Sequence, residues 1–252
     1  MIRILPDAGT LARAVADLVA ARSADAIRAR GRFTLALAGG ETPRSAYTLL
    51  ADGTYTGAMD WTRVHLLWGD ERCVPPDHPR SNYRMARLAL LTRVPVPPQQ
   101  IHRIRGEDEP HAAAAAYETL LRDLLGSSGA NGPPERGPDL VLLGIGPDGH
   151  TASLFPGLRA VRERVRWVVA ERGGPGALWR VTLTPVALNA AREVAFIVSG
   201  AGKAGALREV LEGPLAPDRL PAQAVRPASG RVTWLVDSAA AAALRRPPAA
   251  AG

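Results

Sequence analysis

Apolar positions along the chain fall into two alternating patterns. Three short runs, FTLALA at 33–38, DLVLLG at 139–144 and VAFIVS at 194–199, are nearly continuous in apolar residues. Such runs suit strands buried on both faces, as in a parallel sheet. VHLLW at 64–68, VRWVVA at 165–170, RVTLT at 180–184 and VTWLV at 232–236 are also rich in β-formers and bounded by Gly, Asp or Pro. Between the runs the period changes. Residues 9–29 set Leu11, Val15, Leu18, Val19 and Ile27 on one side of a helix, and 43–51, 80–91, 108–125 and 202–212 also read as helices. Alternating strand and helix predicts a doubly wound α/β fold, a three-layer αβα sandwich with a mostly parallel sheet. Residues 93–100 and 126–138 are loops by composition, but buried strands on both sides keep them from dividing the chain. Residues 1–240 are therefore expected to form one domain and 241–252, ending RRPPAAAG, a disordered tail.

Composition narrows the class. With 46% apolar residues among 252, the chain can build a large core, yet aromatics are only 5%, so that core must be mostly Ala, Val and Leu. No apolar run approaches the ~20 residues that span a bilayer. The N-terminal MIRILPDAGT has no signal-peptide pattern, and Cys73 has no second cysteine to pair with, so a reducing cytoplasm is the expected location. The formal charge of +7 invites a nucleic-acid reading. The arginines, however, are scattered singly, with no basic block and no interleaved aromatics, so no nucleic-acid partner is expected. The composition favours an acidic small molecule instead. Every cation but one is Arg, and Lys203 stands out as the exception.

In open parallel sheets, ligands bind beyond the carboxyl ends of the strands. The residues there are GGETP after 33–38, GDER after 64–68, IGPDGH after 139–144 and GAGK after 194–199. Together these loops offer Asp70, Glu71, Arg72, Asp148, His150 and Lys203.

The stretch GIGPDGHTASLFPG, 144–157, opens with the glycine spacing of a dinucleotide-binding loop, and Glu171 lies where a ribose-binding acid belongs. Its third glycine ought to open a helix, yet Pro156-Gly157 would end one within two turns, and Pro147 removes an N–H from the cradle. No nicotinamide cofactor is expected. Gly144, Gly146 and Gly149 instead permit a sharp loop that presents His150 at the sheet edge, where a neutral imidazole is a good general base. His65, His78, His102 and His111 read as structural histidines. No second His or Cys has metal-ligand spacing, so no metal is expected. GGETP opens a helix at Pro43, whose free amides attract phosphate, with Thr42 as an added donor. Glu41 is awkward there unless its carboxylate turns away. Lys203 opens a helix as well, where a cation opposes the dipole and an anionic ligand would explain it.

With LALAGGETP, WGDERCVPPDHPRSNYRMA, the 144–157 loop and RVTLTPVALNAAREVAFIVSGAGKAGAL in this order, the chain resembles the 6-phosphogluconolactonase family over roughly residues 10–236. The resemblance implies a doubly wound α/β sandwich and hydrolysis of 6-phospho-D-glucono-1,5-lactone to 6-phosphogluconate in the pentose phosphate pathway, without metal or nucleotide. It implies His150 as the catalytic histidine, Asp70, Arg72 and Lys203 in the sugar-phosphate site, Gly39, Gly40 and Thr42 on the phosphate loop, and Arg180 beside them. Asp148 or Asp70 orients the imidazole, and backbone amides of 144–150 are candidate oxyanion donors.

The same superfamily holds the glucosamine-6-phosphate deaminases, whose loop reads D-G-H-I-A-F-N-E-P. Here Thr151 replaces the Ile, and Phe155 stands where their relay glutamate stands, which favours the lactonase. The chain departs from the family's S-G-G-S-T-P at Ala38 and Glu41, so phosphate contacts there rest more on backbone amides. A third reading, a sugar-phosphate-binding regulator, would keep the phosphate loop but has no need of His150. A monomer or small homo-oligomer is expected.

Overall fold

The three continuous apolar runs lie side by side at the centre of one sheet. The structure is a computed structural model that describes residues 1–126, 129, 132, 134–135 and 137–245. Strands β1 (Ile2–Leu5), β2 (Phe33–Leu37), β3 (Val64–Trp68), β5 (Leu140–Leu143), β8 (Glu193–Val198) and β9 (Arg231–Asp237) form a six-stranded sheet in the order β1-β9-β8-β5-β2-β3. Every pairing in it is parallel. All residues of β2, β5 and β8 are buried, which is why their sequences carry no polar alternation. Strand β1 was not legible in the sequence, because it is an edge strand with only Leu5 buried.

Helices cover both faces. Helix α1 (Ala8–Arg30) is capped by Asp7, which accepts the Thr10 amide, and ends at Gly31, whose φ of 75° is the left-handed turn that glycine adopts freely. Helix α2 (Glu41–Leu50) packs against α1 and begins two residues before the expected Pro43. After the short α3 (Gly53–Thr56), strand β4 (Asp70–Arg72) follows β3 through Gly69 alone. The expected helix 80–91 divides into α4 (Asn82–Ala86) and one wider, π-helical turn over 87–91. Helix α5 (Pro110–Leu125) starts on its proline, capped by Glu109.

Two of the expected strands leave the main sheet. β6 (Val168–Gly173) and β7 (Leu178–Leu183) join β4 in a separate antiparallel sheet of order β4-β7-β6. Gly69 is the junction: its amide donates to Leu37 of the parallel sheet, and its carbonyl accepts from Leu183 of the antiparallel one. β6 starts three residues later than the apolar run. The Glu163 carboxylate takes the amides of Arg164, Val165 and Arg166, which holds them in a turn instead of a ladder. The chain closes with α6 (Pro185–Asn189), α7 (Ala204–Glu212) and α8 (Ser238–Ala241). The start of the expected tail is packed: Leu244 lies against the core and the Arg245 amide donates to Glu212. Residues 246–252 lie outside the described residues, as does part of the 126–138 loop.

The order of the main sheet reverses between β2 and β5. From β2 the chain moves outward to β3, and from β5 it moves the other way through β8 to β9. Loops leaving adjacent strands toward opposite faces open a crevice at their carboxyl ends.

Candidate active site

A cleft of about 230 Å³ occupies that crevice. Its wall is drawn from the ends of β2 (Gly39, Gly40), β3 (Gly69), β5 (Gly144 to Gly146) and β8 (Lys203), with Asp70 and Arg180 from the antiparallel sheet. His150 and Arg72 also line it. Residues far apart in sequence thus meet because four parallel strands end on one edge. Thr42, one residue inside α2, is not among the residues lining the cleft.

The His150 loop is built by its own hydrogen bonds. The Gly146 amide donates to the His150 carbonyl, the Gly149 amide to the Gly146 carbonyl, and the Thr151 hydroxyl to the Gly144 carbonyl. The Asp148 carboxylate accepts the His150 amide at 3.2 Å and lies 2.5 Å from Nδ1 of the same residue. A Cβ on Gly146 would collide with the imidazole and with Asp148, so only glycine lets the ring approach the backbone there. Gly149 has a φ of 79° and packs against Leu220. No helix opens at Gly149. Thr151 pairs with Leu154 in an isolated antiparallel bridge, and the next helical turn is at Arg159–Arg162.

Of the two candidate carboxylates, Asp148 is the one bonded to the ring. Partial burial works to raise the Asp148 pKa, but hydrogen bonds from the His150 ring and amide outweigh it and hold the carboxyl below its usual value. An ionised carboxylate only accepts, so it selects the tautomer that carries the proton on Nδ1 and the acceptor lone pair on Nε2. Asp70 has other partners: Ser153 Oγ at 2.5 Å and the Asn82 side chain at 3.2 Å. The same loop bonds also engage the amides of Gly146, Gly149 and His150.

Phe155 fills the space behind the histidine. Its ring centroid is 4.5 Å from that of His150, and the Arg180 guanidinium sits 5.2 Å over its centre. Arg180 is buried and donates from Nε to the Gly173 carbonyl. Burial pushes its pKa down, opposed by Asp70, yet a guanidinium stays charged at neutral pH. Ala152 lines the cleft at a φ of 47°, a strained setting for a residue with a Cβ.

The side of the cleft next to α2 combines cations with helix-start amides that no side chain caps. Helix α2 has no side-chain cap, and Gly40 at its start has a φ of 107°. Glu41, 74% exposed, turns outward and pairs with Arg44 at 2.5 Å, so its carboxylate does not oppose an anion in the cleft. Arg72 donates to the Arg80 carbonyl, while its buried Nε has no partner among the described residues. The Lys203 side chain likewise has no hydrogen bond or ion pair among the described residues, and it stands just before α7, at its N-cap.

Two side chains without an assigned role proved to hold the site together. Buried Glu71 accepts from the amides of Arg72, Asn82 and Tyr83 and from the Ser81 hydroxyl, although burial raises its pKa. Asn82 Nδ2 donates to both the carbonyl and the carboxylate of Asp70, and its carboxamide fills the space where a Gly39 side chain would be. The signal was present in RSNY, a serine N-cap before a helix, but the partner lies eleven residues away on β4. The four other histidines lie outside the cleft; His65 and His102 stack on each other, Nδ1 to Nε2 at 3.0 Å. Among the described residues no three His, Cys, Asp or Glu side chains are grouped to hold a metal ion. Nor is any described helix long and apolar enough to cross a membrane.

Parallel α/β folds bind ligands in such a switch-point crevice, and here it holds a histidine bonded to a carboxylate together with several cations. The chain belongs to the family of glucosamine-6-phosphate isomerases and 6-phosphogluconolactonases, whose model matches residues 6–234. It is 41% identical over 247 residues to a 6-phosphogluconolactonase of Nostoc sp., covering 96% of this chain and 98% of that one. It is 40% identical to one of Mycobacterium leprae over 253 residues, with 96% and 97% covered. The solved structure of the Trypanosoma brucei 6-phosphogluconolactonase superposes with a TM-score of 0.84 at 30% identity, covering 96% and 97%. A monomeric glucosamine-6-phosphate deaminase shares the fold at 24% identity and a TM-score of 0.78.

Proposed function

We propose that this chain hydrolyses 6-phospho-D-glucono-1,5-lactone to 6-phosphogluconate, with His150 as general base. The observation that carries the mechanism is the Asp148–His150 bond, which leaves Nε2 as the free acceptor of a ring that lines the cleft. The reaction itself is that of the named relatives, which match along nearly their full length. Arg72, Lys203 and the uncapped start of α2 hold the phosphate, and this remote grip places the lactone carbonyl. Nε2 takes a proton from water as its oxygen bonds to C1. The tetrahedral intermediate collapses by breaking the bond from C1 to the ring oxygen, and Nε2 returns the proton to that oxygen. Arg180, buried beside Asp70, is the cation best placed to offset the developing oxyanion. Asp70 itself, braced by Ser153 and Asn82, faces the sugar. Lone Cys73 fits a reducing, cytoplasmic location.

The deaminase reading is disfavoured by Phe155. At the position where the resemblance puts a relay glutamate, an apolar ring lies against His150 and has no proton to pass. The test is purified protein mixed with fresh lactone. Acid release should exceed the spontaneous rate, and glucosamine 6-phosphate should release no ammonia. The opposite pair of results would reverse the assignment.

A further inference from the structure

A second and larger concavity of about 790 Å³ adjoins the cleft, between α1, α2 and α4, and shares Gly40, Arg72 and Asn82 with it. Its charged lining is one-sided: Arg13, Arg44, Arg72, Arg84 and Arg93 against Glu41 alone. Glu41 is already paired with Arg44. The other four arginines have no carboxylate within ion-pair distance among the described residues, although the charge of Arg13 reaches Asp7. The Arg84 and Arg93 side chains make neither hydrogen bond nor ion pair among the described residues. Four unpaired guanidinium groups around one hollow repel one another, and a concave wall concentrates their field. Scattered surface arginines do not produce this arrangement. The partnerless, buried Nε of Arg72 marks the point where hollow and cleft meet.

The hollow's shape selects the ligand. Its volume is that of a small-molecule site. No aromatic side chain lines it, so nothing there stacks a base. Its apolar part, Leu49, Met85 and Leu88, is a shallow floor beneath the cations. We propose that this groove binds a non-aromatic small molecule carrying several phosphates, which shares Arg72 with the sugar phosphate and so displaces it. The groove goes beyond the catalytic reading and rests on it only for the competition at Arg72.

Inorganic tripolyphosphate is the probe, measured by calorimetry against orthophosphate. Tripolyphosphate should bind about tenfold or more tighter, because it reaches several guanidinium groups where orthophosphate reaches those at one end. It should also weaken the binding of 6-phosphogluconate. The double variant Arg84→Ala/Arg93→Ala, altered outside the catalytic cleft, should lose the tripolyphosphate advantage while keeping its affinity for orthophosphate and its lactone KM. Equal affinity for the two probes, an advantage unchanged in the double variant, binding without competition, or tighter binding of a single-stranded oligonucleotide would each overturn the proposal. A chain that hydrolysed no lactone would still be judged on the calorimetric comparison alone, so the two readings fail separately.

Discussion

The Asp148 carboxylate reaches forward two residues to hold both the amide and the Nδ1 of His150. One side chain thereby fixes the loop's turn, the ring's orientation and its tautomer, because an ionised carboxylate can only accept. If Nε2 is the base, His150→Ala should lower kcat by ~10²–10⁴-fold with the fold intact. His102→Ala, outside the cleft, should not lower kcat. Near-normal turnover in His150→Ala would remove the mechanism.

Asp148→Asn separates charge from shape. Losing the carboxylate removes the acceptor that selects the Nδ1–H tautomer, so kcat should fall by ~10–10²-fold with the fold intact. Stability should respond in acid: the folded-state pKa of Asp148 is depressed, so its contribution is present above the ordinary carboxylate value of 3.8 and is lost as pH falls through the lower folded value. Near-normal kcat in Asp148→Asn would show that the carboxylate does not set the tautomer of His150.

Gly146→Ala tests the close approach without touching a chemical group. The new Cβ must displace the imidazole or Asp148, and a misplacement of this size costs ~10²-fold in kcat. Gly202→Ala, where a Cβ meets open space beside Lys203, is the control and should leave kcat unchanged.

Lys203→Ala should remove a charge-assisted contact of roughly 2–4 kcal/mol, less where solvent screens it. At ~1.4 kcal/mol per tenfold, kcat/KM should fall ~30- to 700-fold. The melting temperature should hold, since the side chain has no partner among the described residues to lose. Reductive methylation, which reaches only Lys203 and the N-terminus, should be slowed at Lys203 by 6-phosphogluconate. Equal labelling with and without that ligand would place the phosphate elsewhere.

The His65–His102 stack predicts acid sensitivity away from the active site. Burial, and then the charge of its neighbour, push the His102 pKa from 6.5 down to about 4, and burial lowers that of His65 as well. The unfolded chain binds protons in that window and the folded chain does not, so stability is complete above pH 6.5 and falls as pH drops toward 4. Discounted for a half-exposed site, the loss near pH 5 is about 1 kcal/mol. Comparing melting temperatures near neutrality and near pH 5, His102→Gln should narrow the difference seen in the wild-type chain.

Much of this protein follows from one-dimensional pattern. The runs at 33–38, 139–144 and 194–199 had to be central parallel strands, because both faces of each are apolar. Sheet order then carries the loops after them to one edge, so Gly39, Gly40, Gly144, Gly146 and Lys203 were legible as neighbours from the architecture alone. His150 stood apart from the other histidines because its loop has glycines and no apolar face. What the chain could not reveal depends on contacts between distant segments. Asp148 and Asp70 were equal candidates until Ser153 and Asn82 occupied one of them. Local sequence carries β-propensity but not strand partners, so the runs at 165–170 and 180–184 gave no sign of leaving the parallel sheet to pair with β4. Glu71 and Asn82 bond across eleven positions, and Phe155 meets Arg180 only once β7 lies beside the loop. Periodicity reports which face of an element is buried; only the folded packing decides which side chains share that buried space and therefore which atoms bond.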